Sequence, residues 1–352
     1  MFSKSARTLS AVAPWLIIAS LLYVALFVEP KPVGSTVTPS AIESRDRYYG
    51  VASPASETLW LVGADGKIVR TDDAGESWHV QASDVVVHFQ DIAAWDQQRA
   101  VVVGNRGTVL FTDDGGERWQ SAEAPKNDVA NKLIDVKAYA DGEAWAVGEF
   151  GTILRSSDYG RTWSRMRELE DFILNEVVRI DEQTLLVVGE FGTVLRTSDN
   201  GNEWSLVDVP LETSLMAVDF RNSQHGLAGG LEGALLATND AGQTWFAIEP
   251  DMQFPTGTTR PGKTQAFVWA DLTSEHIFSL RWVPHLDSWV ATGDKGIWVT
   301  GSANLTHWQS GRLAEREMGW HTAMVPFAGG ILMTGMNVGL WDLSSWQLLG
   351  EG

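Results

Sequence analysis

A thirteen-residue phrase recurs along this chain at nearly constant spacing, and it limits the possible folds more than any other feature. It reads GKIVRTDDAGESW from Gly66, GTVLFTDDGGERW from Gly107, GTILRSSDYGRTW from Gly151, GTVLRTSDNGNEW from Gly192 and GALLATNDAGQTW from Gly233. A sixth copy, GIWVTGSANLTHW from Gly296, has Ala303 in place of the Asp and Leu305 in place of the second Gly. A shortened seventh, GLWDLSSW, starts at Gly339. The starting glycines lie 41, 44, 41, 41, 63 and 43 residues apart. Repetition at such a period is the sequence mark of a stacked repeat architecture.

One period reads as four short strands. In the third copy these are residues 133–140, 144–149, 152–156 and 162–166, each bounded by Gly, Asp or charged turn residues. A single twisted four-stranded sheet cannot bury both faces, so successive sheets must stack on one another. The reading is therefore all-β: a seven-bladed propeller of four-stranded blades. Blade one is expected to begin near Tyr48 and blade seven to end with Trp346 to Leu349. Both end blades are contiguous in sequence, which leaves the strand that closes the ring unassigned.

The phrase S/T-x-D-x-G-x-x-W has a physical reading. Asp73, Asp114, Asp158, Asp199 and Asp240 are placed to accept backbone N–H groups within the turn between strands three and four. Gly two residues later permits positive φ. Trp78, Trp119, Trp163, Trp204, Trp245 and Trp308 each fall twelve residues after the repeat glycine and are expected to wedge between blades. This accounts for much of a tryptophan count of 17. The aspartates lack the alternating D-x-D-x-D spacing with a distant Glu of a calcium loop, so no metal is assigned to them.

Composition narrows the function classes. Lys plus Arg number 26 against 45 Asp plus Glu, a net charge of −19, which would repel a nucleic acid rather than steer it in. With no cysteine, disulfides, thiolate metal sites, thiol catalysis and a lipid-modified N-terminal Cys are all excluded. Near the N-terminus, Lys4 and Arg7 precede an uncharged run from Thr8 to Val28 whose centre is PWLIIASLLYVALFV. As a helix it would rise about 30 Å, enough to span a bilayer. The alternative is a cleaved signal peptide, although Ala25-Leu26-Phe27 makes a poor cleavage site. The expected organisation is a cytoplasmic tip and inner-membrane anchor over residues 1–28 and a linker over 29–43. A periplasmic propeller follows over 44–352, with an insertion at about 249–275.

The segments VGEFGTILRSSDYGRTW and VVGEFGTVLRTSDNGNEW carry an Asp-box (BNR) repeat and resemble the photosystem II stability/assembly factor family of propellers. The resemblance covers about residues 48–350. It implies a non-enzymatic seven-bladed propeller, without cofactor, that helps to assemble an integral membrane complex. Similar proteins of non-photosynthetic bacteria often accompany exporters of the resistance-nodulation-division (RND) superfamily. The missing lipid-anchor cysteine, with an apolar segment in its place, favours such an inner-membrane partner over a photosystem.

Two regions are candidates for contact with that partner. Turns between strands two and three should lie on the face opposite the Asp-boxes. Two of them, in adjacent blades, carry Glu149-Phe150 and Glu190-Phe191. They read either as solvated hairpin tips or as part of a docking rim. The insertion adds Phe254, Arg260, Phe267 and Trp269 on the same face. Arg155, Arg161, Arg165 and Arg167 cluster as a second, cationic candidate, while Arg70, Arg155 and Arg196, at the strand-three position, read rather as stems packed between blades. Sialidases also use Asp-box propellers, and Tyr48, Tyr49 or Tyr139 with Glu176, Arg179, Arg221 and Arg281 are the residues such chemistry would need. The F/Y-R-I-P motif of that family is absent.

Overall fold

The computed structural model describes residues 15–23, 40–127, 131–248 and 272–350. The chain divides into two units, Met1–Pro39 and Ser40–Gly352. In the first, residues 15–23 are helical, and among the described residues no helix is long and apolar enough to cross a membrane. The remainder of the apolar run lies outside the described residues.

The second unit is a seven-bladed all-β propeller. Its seven sheets each have four strands, every sheet contiguous in sequence and antiparallel. Blade one begins with Tyr48–Ala52 and blade seven ends with Trp346–Leu348. In blade three the strands are Leu133–Ala138, Ala144–Gly148, Ile153–Ser156 and Ser164–Arg165. The second strands read LWLVG, AVVVG, AWAVG and LLVVG and are buried at every residue. An unbroken apolar run suits a strand covered on both faces, here by the two neighbouring blades.

Ring closure, unassigned from sequence, uses no shared sheet. Blades seven and one meet face to face through Tyr48, Leu61 and Val69 against Phe327, Leu332 and Val338. The Thr322 hydroxyl donates to the Tyr49 carbonyl (3.1 Å), and the Tyr49 and Trp320 rings stack 5.5 Å apart. Ile42, assigned above to the linker, is buried in the same seam.

The Asp-box turns share one wiring. In blade one the Asp73 carboxylate accepts the Ser77 N–H (2.9 Å), and the Thr71 hydroxyl accepts the Gly75 N–H (2.9 Å). In blade five Asp240 accepts the Thr244 N–H (2.9 Å) and Thr238 the Gly242 N–H (3.0 Å). These bonds favour the charged carboxylate, and hydrogen bonds from Ser77 hold Asp73 down to about 2. The sixth turn lacks this wiring and closes as a hairpin in which the Ser302 N–H donates to the His307 carbonyl (2.9 Å). Ser302 Oγ donates to Asn304 (2.8 Å), as Thr71 does to Asp73, but it accepts the N–H of His307, five residues on (3.0 Å), and Asn304 accepts the N–H of Thr306, two residues on (3.3 Å). In blade seven Asp342 accepts the Ser344 N–H (2.9 Å) and the Ser345 N–H (2.6 Å).

Four of the six repeat tryptophans, Trp119, Trp163, Trp245 and Trp308, are buried, whereas Trp78 and Trp204 are half-buried. The indole N–H of Trp163 donates to the Gly160 carbonyl (2.9 Å) and that of Trp245 to the Gly242 carbonyl (3.2 Å), which ties each ring to its own turn.

Candidate functional site

The first strands of the blades surround an axial cavity of about 900 Å³. Lys132, Glu190, Leu231 and Asp294 stand at its mouth, on the face that carries the turns between strands two and three. Deeper in, four carboxylates and two cations converge: Asp91, Asp135, Glu176 and Asp219 with Lys137 and Arg281.

The carboxylates bind adjacent blades together. Asp91 in blade two accepts the Val136 N–H of blade three (3.1 Å). Asp135 accepts the Val177 N–H of blade four (3.0 Å), and Glu176 the Val218 N–H of blade five (2.8 Å). Asp219 continues the series with the Trp282 N–H of blade six (2.8 Å). Lys137 reaches Asp135 and Glu176 (3.0 Å to the latter), and Arg281 pairs with Glu176 at 2.6 Å.

Electrostatics separates the four acids. Burial pushes Asp91 up to about 8; Lys137 partly opposes the rise and Asp135 adds to it. Burial likewise raises Asp135 and Asp219. Glu176 is subject to the same burial, but Arg281 and Lys137 outweigh it and hold the carboxyl below its usual range. The cations thus decide the sign of the shift at Glu176, whereas burial decides it at the other three acids. Among the described residues no group of His, Asp or Glu side chains has a metal-binding arrangement.

The Glu-Phe turns divide their two side chains between different tasks. The Glu149 carboxylate accepts the Lys132 N–H (2.9 Å) and the Glu190 carboxylate the Ile173 N–H (2.9 Å), each at the start of the first strand of its own blade. Both acids are thereby engaged inside the fold. Phe150 and Phe191 occupy left-handed backbone (φ 55° each). Phe150 is half-buried, and its carbonyl accepts the Glu170 N–H (3.1 Å). Phe191 is 73 % exposed. Phe254, Arg260, Phe267 and Trp269 lie outside the described residues.

The arginines expected to form a cationic patch are largely engaged. Arg155 pairs with Glu143 (2.8 Å), Arg161 with Asp113 (2.7 Å) and Arg167 with Glu170 (2.8 Å). Arg165 is half-buried. Arg70 lies over Trp60 and donates to the Gly115 carbonyl of the next blade (2.6 Å), and Arg196 donates to Ala241 (2.9 Å). These two arginines bind blades together.

The residues considered for sialidase chemistry are also internally bonded. The Tyr139 hydroxyl accepts the Arg179 N–H (2.9 Å) beneath the Arg179 guanidinium, which pairs with Glu143. The Tyr48 hydroxyl donates to Asp46 (3.2 Å), and the Tyr49 ring is stacked on Trp320. Of the four charged residues named for that chemistry, Glu176 and Arg281 meet on the axis, and Arg221 is half-buried. Asp91, Asp135 and Lys137 were not singled out from the sequence. One signal was available: Asp91, Asp135 and Glu176 each stand sixteen residues before a repeat glycine, in three successive copies.

The sequence profile of the Photosynthesis system II assembly factor YCF48 family matches residues 80–206 and 197–256, half of the chain. The chain belongs to this family. The match spans both Glu-Phe turns and the three stacked carboxylates of blades two to four. No curated protein sequence matches significantly. Among solved structures, YCF48 bound to D1 peptide superposes with a TM-score of 0.64 at 15 % identity, covering 84 % of this chain and 92 % of that one. YCF48 from Cyanidioschyzon merolae gives 0.63 at 15 % identity, covering 86 % and 95 %. An ancestral GH74 enzyme gives 0.64 at 11 % identity, covering 89 % of this chain but 47 % of the enzyme. At these identities the superpositions report the propeller fold, which hosts unrelated functions.

Proposed function

We propose that this protein is a non-enzymatic assembly factor that holds an exposed segment of an integral membrane protein on the face carrying the turns between strands two and three. Family membership carries this reading, and the solved YCF48 bound to D1 peptide supports a peptide segment as the thing held. Phe191, exposed on that face, supplies a contact point. Of the candidate roles, photosystem II assembly is nearer to these comparisons than service to an RND exporter, for which none of them speaks.

The proposed location is the inner membrane, with residues 8–28 as an uncleaved anchor, Lys4 and Arg7 inside and the propeller on the periplasmic side. Mass spectrometry of the mature N-terminus tests the anchor, because a chain beginning after residue 28 would rule it out. The binding reading is tested by placing a photo-crosslinking phenylalanine analogue at position 191 and, separately, at Asn202 on the Asp-box face. Adducts on loops or tails of integral membrane proteins from position 191 alone are expected. Adducts only from position 202, or only on soluble proteins, would refute it.

A further inference from the structure

At the middle of six turns between strands two and three the backbone is left-handed, at Asp65, Arg106, Phe150, Phe191, Glu232 and Lys295. Glycine enters that region freely, whereas a bulky side chain there is uncommon. Six non-glycine residues at one repeated position therefore set six side chains on this face, two of them Phe, and Phe191 is the exposed one of that pair at 73 %.

The surroundings of Phe191 are acidic. Its turn is held between two loops: the Glu190 N–H donates to the Ile173 carbonyl (2.9 Å) and the Gly192 N–H to the Thr213 carbonyl (2.9 Å). The loop ending at Ile173 carries exposed Glu168, Glu170 and Asp171, and the loop ending at Thr213 carries exposed Asp208 and Glu212. Glu232, exposed on the next turn, adds a sixth acid. Residues 166–173 and 207–214 contain one cation, Arg167, which is already paired with Glu170 (2.8 Å).

We infer that this sector, over blades three to five, binds a peptide segment in which an apolar or aromatic residue is flanked by Lys or Arg. This rests on the proposed docking role of the face and specifies its chemistry. The apolar residue covers Phe191, and a buried aromatic contact of this kind is where binding energy concentrates. The flanking cations answer the surrounding carboxylates, which speeds encounter and excludes acidic segments.

The test uses the full chain in mild detergent and three fluorescein-labelled peptides, read by anisotropy. One has a central Leu-Phe pair flanked by lysines, the second has glutamates in place of the lysines, and the third keeps the lysines but has Ser-Gly at the centre. The lysine Leu-Phe peptide should bind at least tenfold tighter than either of the others, and should weaken as salt rises from low to physiological strength. Phe191→Ala should cost about tenfold in affinity. The double change Asp171→Asn with Glu212→Gln should cost several-fold and flatten the salt dependence. Circular dichroism of each variant checks that the exposed substitutions leave the fold intact. Equal binding of the lysine and glutamate peptides, lost in Phe191→Ala, would keep the face as a docking site and overturn the charge chemistry. Binding of the lysine peptide that ignores Phe191→Ala would overturn both. No binding of the lysine peptide would overturn the inference made here while leaving the crosslinking test of the face to stand by itself.

Discussion

Trp145 and Trp204 sit in neighbouring blades with rings 6.1 Å apart at 73°, an edge-on pair across one blade interface. Trp145 is fully buried among Val147, Ile153, Leu174 and Val187, and Trp204 is half-buried against the same cluster. At about 25 cal/mol per Å2 over about 200 Å2, burying the Trp145 ring contributes on the order of 5 kcal/mol, so Trp145→Ala should cost about 3–5 kcal/mol. Trp204→Ala, with about half the burial, should cost about 2 kcal/mol. Because the rings touch, the double mutant should fall short of the sum by about 1 kcal/mol. The indole nitrogens add a sharper contrast. Trp163 donates its N–H to the Gly160 carbonyl, whereas the buried Trp145 N–H has no partner among the described residues. Replacing Trp163 by Phe therefore removes a bond, and replacing Trp145 by Phe removes an uncompensated donor. Trp163→Phe should be the costlier of the two by about 1–2 kcal/mol, although Trp145 is the more buried. Urea unfolding followed by far-UV circular dichroism measures all five variants. The reasoning fails if Trp204→Ala costs as much as Trp145→Ala, or if the two phenylalanine substitutions rank the other way.

Three further outcomes follow from the same geometry. Gly201 has φ 85° and a Cβ there would run into the Trp145 ring, while Gly75, at φ 89°, has its nearest neighbour 3.8 Å away. Gly201→Ala should therefore cost about 3 kcal/mol or more and be partly rescued by Trp145→Phe, and Gly75→Ala should cost only its backbone strain of about 1 kcal/mol; equal melting points for the two would refute this. Asp91 has a folded pKa of about 8, raised chiefly by burial, against about 3.9 in the unfolded chain. The folded state holds that proton more tightly, so the contribution is complete below about pH 4 and lost as pH rises toward 8. Asp91→Asn should become more stable than the parent as pH rises from 5 to 8.5, by up to a few kcal/mol, and a stability gap that does not change with pH would count against the assignment. Phe191→Gly releases an exposed side chain from left-handed backbone at φ 55°. Its melting temperature should stay level or rise, since relief of about 1 kcal/mol of strain offsets the added freedom of the unfolded chain; a drop of several degrees would mean that Phe191 packs in the fold.

The blades were legible because the repeat fixes them many times over. The fourth strands were the weakest part of that reading: 162–166 in blade three shrinks to Ser164–Arg165, as suits an outermost strand bonded on one side only. The decay of the sixth Asp-box was legible too: with Ala303 and Leu305 at the Asp and Gly positions, the bonds to the N–H four residues on are not made there. The axial cluster was harder to see, because Asp91, Asp135 and Glu176 are brought together by the stacking of successive blades, over separations of more than forty residues. Glu190 and Phe191 look like one rim unit in sequence. A single left-handed residue sends their side chains in different directions, Glu190 to the Ile173 N–H and Phe191 to solvent.

That division suggests where a propeller of this kind can change partner without losing its fold. The Thr, Asp, Gly and Trp of each turn, the apolar second strands and the axial acids are committed to bonds within or between blades, and altering one disturbs a neighbour. In blade four the left-handed tip is only lightly committed: the Phe191 N–H donates to the Ser214 hydroxyl (3.4 Å), the flanking Glu190 and Gly192 make the other backbone bonds, and the ring stands exposed, whereas the Lys295 tip pairs with Glu275 (2.7 Å). Asp65, Arg106, Phe191, Glu232 and Lys295 differ in charge and size while holding the same φ to within about ten degrees. Exchanging one tip side chain for another should therefore alter what binds far more than how stably the ring stands. In this chain the exposed aromatic tip, Phe191, lies beside two acidic loops, so its exchange is where a change in what binds should be largest.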